Sequence, residues 1–407
     1  MKLLKNTKIG TSGTVPSSRR VLLIGADTQV GLWVIRSLGR AGLEVYCVCR
    51  NENGLAVHSR YCRGAWLMEC GSQDPLFIDH IEKLARQLEV GSIMTIAENY
   101  HLALMRNRCR FEPDIHLFTS TEDCFAKAID KDYLHKLSEK LGIPVAKGGT
   151  LDKVMEKNDL KYPVVLRTRQ QTASIANCPW KAAYAKNDKE LRKLWESVKS
   201  ISSNVIVQEY HPGAEVHVQI LMHRGEAFMA GEYIGEHHMP LAGGLTVLRV
   251  TCCHEKVIQD AVRLLQAIEW EGVAAVQFHY DPKTDRYIFL EINPRFCGGL
   301  PTIILGGFDI AFLLWQSHFE PEKMKKGRYR LGYRTRVLGG DANWMLSMIG
   351  GEPLPPDQER ISKINAAGQF LWHFGPWTHD DVFWLKDPKP AWADMKQQFL
   401  KLIKIRA

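Results

Sequence analysis

A chain of 407 residues with 45% hydrophobic and 24% charged content can bury substantial cores and divides most simply into two or three domains. No apolar run reaches the roughly 18 to 20 residues that a bilayer span requires, and the polar start at 1–20 lacks the apolar centre of a signal peptide, so a cytoplasmic protein is expected. The net charge of +8 is not gathered into blocks and decides nothing between polyanionic small molecules and nucleic acid; the ten cysteines are scattered, without paired CxxC spacing, and read as reduced thiols.

Residues 1–18 are expected to form a disordered tail. From Arg20 the chain reads as a strand at 21–24, the turn GADTQVG, a helix at 32–40, and a second strand at 45–48. That is a βαβ start, which implies a parallel sheet. A helix at 75–88 and a strand at 92–96 continue the alternation, so 19–125 is expected to be one α/β domain. The turn is neither GxGxxG nor a P-loop, and the strand after it ends Val48-Cys49-Arg50, without an acid to hold a ribose, which counts against NAD. Glu98 and Asn99, just past a strand end, are candidates to line a substrate pocket.

The texture changes at Ile129. A helix runs to Gly142, and short strands follow at 163–166 and 205–209. A long strand at 216–222, a turn at 223–226 and a strand at 227–233 read as antiparallel sheet. An amphipathic helix spans 256–268, and the strands VAAVQFHYD and DRYIFLEINP form a hairpin across Pro282-Lys283-Thr284. An α+β domain is expected over 126–325, in lobes 126–204 and 205–325. The remainder, 326–407, is rich in Trp and Pro, and Trp372, Trp377, Trp384 and Trp392 are expected to pack as core.

The hairpin carries the clearest chemistry. Glu291 and Asn293 are two apart on one strand and share a face, and Gln277 comes from the paired strand. A carboxylate and two amide oxygens form the hard-oxygen set that Mg²⁺ accepts while keeping water and phosphate oxygens as further ligands. Arg295 follows within reach of the same phosphates. In IVQEYHPGAEVHV an apolar strand runs into Gln208-Glu209-Tyr210, turns at Pro212-Gly213 and resumes after Glu215, so Glu209 and Glu215 flank a tight connection where carboxylates and backbone carbonyls can accept bonds from adenine and ribose. Lys131, near the start of its helix, and Arg167, at the end of YPVVLRT, supply a point charge and a planar fork for phosphate oxygens. His237, His238 and His254 have no spacing that forces a catalytic role.

In this order the motifs resemble the ATP-grasp superfamily over roughly 20–320: Asp130-Lys131 on a helix followed by LGIPV, a strand ending in Arg167, the acids Glu209 and Glu215, and FLEINPRFCGG at 289–299. The resemblance implies a Rossmann-like pre-ATP-grasp domain followed by a two-lobed ATP-grasp domain with antiparallel sheets. It implies ATP bound by Lys131, Arg167, Gln208, Glu209, Tyr210 and Glu215, and Mg²⁺, or Mn²⁺, held by Gln277, Glu291 and Asn293. The Gln in the first place looks like the carbamoyl-phosphate-synthase variety. Ala242-Gly243-Gly244 and the strand after it look like the carboxylate-amine ligases, in which Arg249 would join Arg295 at the reacting phosphate. One departure is the stretch RTRQQTASIANCPW, which contains no glycine where many members carry a Gly-rich phosphate loop.

The activity so implied is ATP-dependent activation of a carboxylate as an acyl-phosphate and its joining to an amine. The partners are then small molecules, with no nucleic acid and no membrane, and a homodimer is the default state. A carboxylating or carbamoyl-phosphate-like enzyme using bicarbonate is the alternative of the same class. A non-catalytic nucleotide-binding protein is the alternative of another class.

Overall fold

The hydrophobic runs of the first hundred residues lie inside a parallel sheet, because helices cover both of its faces. The computed structural model describes residues 1–6, 15–157, 159–168, 178, 180 and 182–406, with 398–406 by backbone alone. Most of the glycine-free stretch after Arg167 therefore lies outside the described residues.

The first sheet contains β1 (Lys2–Asn6), β2 (Arg20–Ile24), β3 (Glu44–Cys49), β4 (Cys62–Leu67), β5 (Ser92–Thr95) and β6 (His116–Leu117), in the order β1-β4-β3-β2-β5-β6. Every pair is parallel except β1 with β4. Between them run α1 (Gln29–Arg40), α2 (Pro75–Gln87) and α3 (Glu98–Arg106). Val21, Leu22 and Leu23 of β2 are wholly buried, as expected for a central strand. Part of the expected disordered tail is corrected here. Residues 2–6 pair with β4, whose backbone groups would otherwise form an open edge, and the lysines of KLLKN suit an edge strand.

Two helices, α4 (Glu122–Ile129) and α5 (Lys131–Lys140), lead onward. Asp130 caps α5, its Oδ1 accepting from the amides of Asp132 and Tyr133 at 3.0 Å each, and this sets Lys131 on the first turn. A four-stranded antiparallel sheet follows, built from β7 (Gly148–Thr150), β8 (Val164–Thr168), β9 (Ala182–Ala185) and β10 (Val205–Glu209), in the order β7-β10-β8-β9. Helices α6 (Leu151–Glu156) and α7 (Asp188–Val198) accompany it.

The largest sheet has β11 (Ala214–His223), β12 (Glu226–Met239), β13 (Leu245–Cys252), β14 (Gly272–Asp281), β15 (Arg286–Asn293), β16 (Arg334–Arg336) and β17 (Thr378–Asp380), ordered β15-β14-β11-β12-β13-β16-β17. All neighbours are antiparallel except β16 and β17. Helix α8 (Glu255–Ala267) packs its Val257, Ala261, Leu264 and Leu265 on Val216, Val218 and Ile220 of β11. Beyond the hairpin come α9 (Leu300–Leu305), α10 (Ile310–Phe319), α11 (Leu338–Gly350), α12 (Lys363–Trp372) and α13 (Lys389–Arg406). The fold class read from the sequence is thus observed: a parallel α/β sheet, then α+β structure with antiparallel sheets. Because β16 and β17 complete the large sheet, it continues past the division expected at residue 325.

The tryptophans expected to be core divide. Trp384 lies 5.8 Å from the Trp33 ring, whereas Trp372, Trp377 and Trp392 are exposed. Trp372 and Trp377 lie 4.5 Å apart and cover part of each other, which lets two large rings sit at the surface.

Candidate active site

Antiparallel register places the hairpin side chains. Gln277 of β14 is directly opposite Glu291 of β15, and Ala275 is opposite Asn293, so the two amides and the carboxylate share one face. Asn293 Nδ2 donates to Glu291 Oε1 at 3.2 Å, and Lys131 Nζ lies 2.8 Å from Glu291 Oε2. Burial alone would raise the Glu291 carboxyl, but the Lys131 ammonium, followed by Arg167, outweighs it and holds the group below its ordinary value. Gln277 is 9% exposed and lines the cavity described below. An amide on the cavity wall, beside a deprotonated carboxylate and a second amide oxygen, fits a small hard cation such as Mg²⁺.

These groups lie on the floor of a cavity of about 1010 Å³ between the four-stranded and seven-stranded sheets. It is lined by every candidate residue read from the sequence except Glu98 and Asn99. Asn99 is directed elsewhere, its Nδ2 donating to Ser72 Oγ at 2.9 Å. Glu98 instead meets the site from behind, with its Oε1 3.1 Å from Arg295 Nε, while Arg295 Nη2 donates to Asn293 Oδ1 at 3.1 Å. Behind Arg295, Gly299 passes so close to Tyr233 that a Cβ would sit 2.4 Å from its ring, which accounts for a glycine in this part of the motif.

At the other end, the connection between β10 and β11 forms a hinge. The Glu209 amide donates to the Lys147 carbonyl at 2.8 Å and the Tyr210 amide to the Pro163 carbonyl at 2.9 Å. Glu209 Oε1 accepts from the Lys161 amide at 2.9 Å, and Gln208 Oε1 accepts from Arg167 Nη2 at 2.6 Å. Gly213 holds φ +117, and a Cβ there would fall 2.1 Å from the Tyr280 carbonyl oxygen. Asp357, from the last quarter of the chain, accepts from both the Tyr210 hydroxyl and the Gly213 amide, the latter at 3.0 Å. Pro355 and Gln358 beside it line the same cavity.

Glu215 lies among imidazoles. Burial would raise its carboxyl, yet the His217 imidazole, with Nε2 3.4 Å from Oε2, and the His238 and His279 rings hold it down at about 2. The expectation that Arg249 faces the reacting phosphate meets a competing contact. Its guanidinium touches the cavity wall but is 1% exposed, paired with the buried Asp381 and donating from Nη1 to the Gly298 carbonyl at 3.2 Å. Asp381 also accepts through its backbone carbonyl from Trp33 Nε1 at 2.5 Å, so this pair is tied to α1.

Several residues in or beside the cavity were not singled out from the sequence. His217 and His279 stand two positions from Glu215 and Gln277 on the same strands, and alternation along each strand was the signal that marks them. Asp357 carried no local signal, because its contacts span 147 positions to Tyr210 and 144 to Gly213. His237 is placed away from phosphate chemistry, stacked on Trp344 at 3.4 Å with Nδ1 2.7 Å from Asp341.

Comparison with known proteins gives a consistent class. A family described as "ATP-grasp in the biosynthetic pathway with Ter operon" matches residues 202–338. Biotin carboxylase 1 of Bacillus subtilis is 22% identical over 301 residues, covering 67% of this chain and 64% of the relative. D-aspartate ligase of Enterococcus faecium is 22% identical over 317 residues, covering 71% of this chain and 74% of the relative. Among solved structures, a biotin carboxylase–beta-gamma-ATP complex from Campylobacter jejuni aligns with a TM-score of 0.59 at 17% identity, over 77% of this chain and 74% of that one. The family match over 202–338 and these relatives support placing the chain in the ATP-grasp superfamily. It spans less than two thirds of the first of these curated relatives. No helix among the described residues is long and apolar enough to cross a membrane.

Proposed function

We propose that the protein is an ATP-dependent ligase that activates a carboxylate as an acyl-phosphate and joins it to an amine. The observation that carries this reading is the row Gln277–Glu291–Asn293 with Lys131 on Glu291 and Arg295 on Asn293, at one end of a cavity whose other end is a backbone hinge. The D-aspartate ligase among the relatives agrees with it by name.

In this reading Glu209, Tyr210 and the hinge backbone bind adenine, and Glu215 takes the ribose hydroxyls. Gln277, Glu291 and Asn293 hold Mg²⁺, which when bound neutralises phosphate charge. Lys131, Arg167 and Arg295 orient the phosphates and stabilise the charge that spreads over the transferred group. A carboxylate oxygen bonds to the γ-phosphorus as the β–γ bridging oxygen leaves with ADP. The amine nitrogen then bonds to the acyl carbon, phosphate departs, and the amine gives up a proton. Residues 19–125 act as the pre-ATP-grasp domain, contributing Gln29 to the cavity wall and Glu98 as the brace of Arg295.

Release of ADP measured over a panel of amino acids, other carboxylates and amines, with mass detection of the product, tests the proposal. An amide product is expected. ADP release that requires bicarbonate alone would replace the ligase reading with a carboxylating one, and nucleotide binding without turnover on any member of the panel would overturn both.

A further inference from the structure

A second cluster of chemistry-bearing side chains lies away from the nucleotide cavity. Glu232 of β12 and Cys252 of β13 are directly opposite in the antiparallel ladder, and His254, two residues beyond Cys252, caps α8. The carboxylate, thiol and imidazole donor atoms all lie within 4.8 Å of one another, and none of the three residues lines the nucleotide cavity.

The charge balance of this cluster is unusual. Glu232 is fully buried, and among the described residues no lysine or arginine pairs with it. Its ionisable partners there are His254, whose Nδ1 lies 2.6 Å from Oε1 while its backbone amide donates to Oε2 at 2.6 Å, and the Cys252 thiol, which burial and this carboxylate push up. An isolated buried carboxylate is costly unless a cation compensates it. A Glu232 carboxylate and a Cys252 thiolate together carry two negative charges, which a divalent ion balances with His254 neutral.

We propose that Glu232, Cys252 and His254 form a zinc site separate from the nucleotide-bound Mg²⁺. One sulfur, one nitrogen and one oxygen suit a borderline ion such as Zn²⁺ and disfavour Mg²⁺, which selects oxygen alone. Zinc replaces the proton shared between Glu232 and His254 and displaces the Cys252 thiol proton to solvent. Tetrahedral ligands at zinc lie roughly 3.3 Å apart, so the 2.6 Å carboxylate–imidazole contact opens by a modest side-chain rotation. The His254 side chain is 24% exposed, which gives the ion a route in and leaves the fourth position to water.

The test uses the full-length chain, stripped with a chelator and titrated with Zn²⁺ and, as a spectroscopic substitute, Co²⁺. One equivalent of zinc and a thiolate-to-cobalt charge-transfer band are expected. Cys252→Ser should remove the band and His254→Ala should weaken binding by at least about 100-fold, more than loss of an outer-shell partner of a ligand costs, while Cys253→Ser and Glu291→Ala leave both unchanged. In the unmutated chain, zinc should protect Cys252 from alkylation and leave Cys253 reactive, a readout that does not depend on a variant folding. No retained zinc, a band that survives Cys252→Ser in a folded variant, or alkylation of Cys252 unaffected by zinc would each overturn the site.

Discussion

Glu98 Oε1 lies 3.1 Å from Arg295 Nε, so the first turn of α3 on the parallel sheet grips the arginine that follows β15 on the antiparallel one. The Glu98 side chain is 40% exposed, which limits its worth to stability. Its consequence is geometric. Glu98→Gln should leave the fold intact and lower kcat/KM for the carboxylate by about tenfold, since a charge-assisted hydrogen bond is worth roughly 1.5–3 kcal/mol before solvent screening. An unchanged carboxylate dependence of ADP release would show that Arg295 needs no brace.

Glu291 serves Lys131 and the metal row together. Glu291→Gln keeps the shape of the side chain and removes its charge, and turnover should fall by at least about a hundredfold. The variant should also lose the Mg²⁺ dependence seen in a metal titration of ADP release. Wild-type turnover would exclude the hairpin as the metal-binding face.

The hinge clamp predicts a different kinetic signature. Asp357→Asn removes the charge that the Tyr210 hydroxyl and Gly213 amide share, and a rise of about tenfold in KM for ATP is expected, with kcat changed less than about twofold. Steady-state kinetics with ATP varied at saturating carboxylate separate the two parameters.

Acid should destabilise the fold through His101. Burial first, and the Arg108 charge second, lower its imidazole to about 4, and the neutral ring accepts the Ser120 amide at 3.0 Å through Nε2. The folded value lies below the unfolded value of about 6.5, so this contribution is complete above about pH 6.5 and is lost as pH falls toward 4. The loss is on the order of 3 kcal/mol. Urea melts from pH 7 to pH 4 should show a smaller decline in His101→Asn than in the unmutated chain.

Arg36 and Asp387 form an ion pair at 3.0 Å, with side chains 0% and 1% exposed, and Asp387 also accepts from Ser59 Oγ at 2.7 Å. Asp387→Ala leaves Arg36 buried without its counter-charge and should cost roughly 3–5 kcal/mol. Replacing both residues with apolar ones should cost less than the single change, which a double-mutant cycle measures.

The hairpin was legible because strand alternation is strict: once Glu291 and Asn293 share a face, the pairing that brings Gln277 beside them follows from a short turn. The hinge was legible for a similar reason, since Pro212-Gly213 breaks an apolar run that resumes on the other side. Contacts between distant positions were not. Neither Asp381 under Arg249 nor Asp387 under Arg36 carries a local mark, and their sequence separations are 132 and 351. The edge strand at 2–6 was hidden by its own polarity, because an edge strand reads like a solvated tail. The surface tryptophans misled in the opposite direction, since composition cannot distinguish a ring packed inside from two rings packed on each other.

Asp357, Asp381 and Asp387 place three anchors of the last quarter of the chain on the hinge, on Arg249 and on α1. Exchange of modules between relatives therefore has a natural unit larger than the metal-binding hairpin. A chimera that imports 202–338 alone would bring the metal row and Arg295 but leave the hinge and Arg249 facing a foreign clamp. One that carries 355–387 along with them keeps Tyr210, Gly213 and Arg249 with the carboxylates they folded against, and Asp387 still needs the arginine at position 36 of α1.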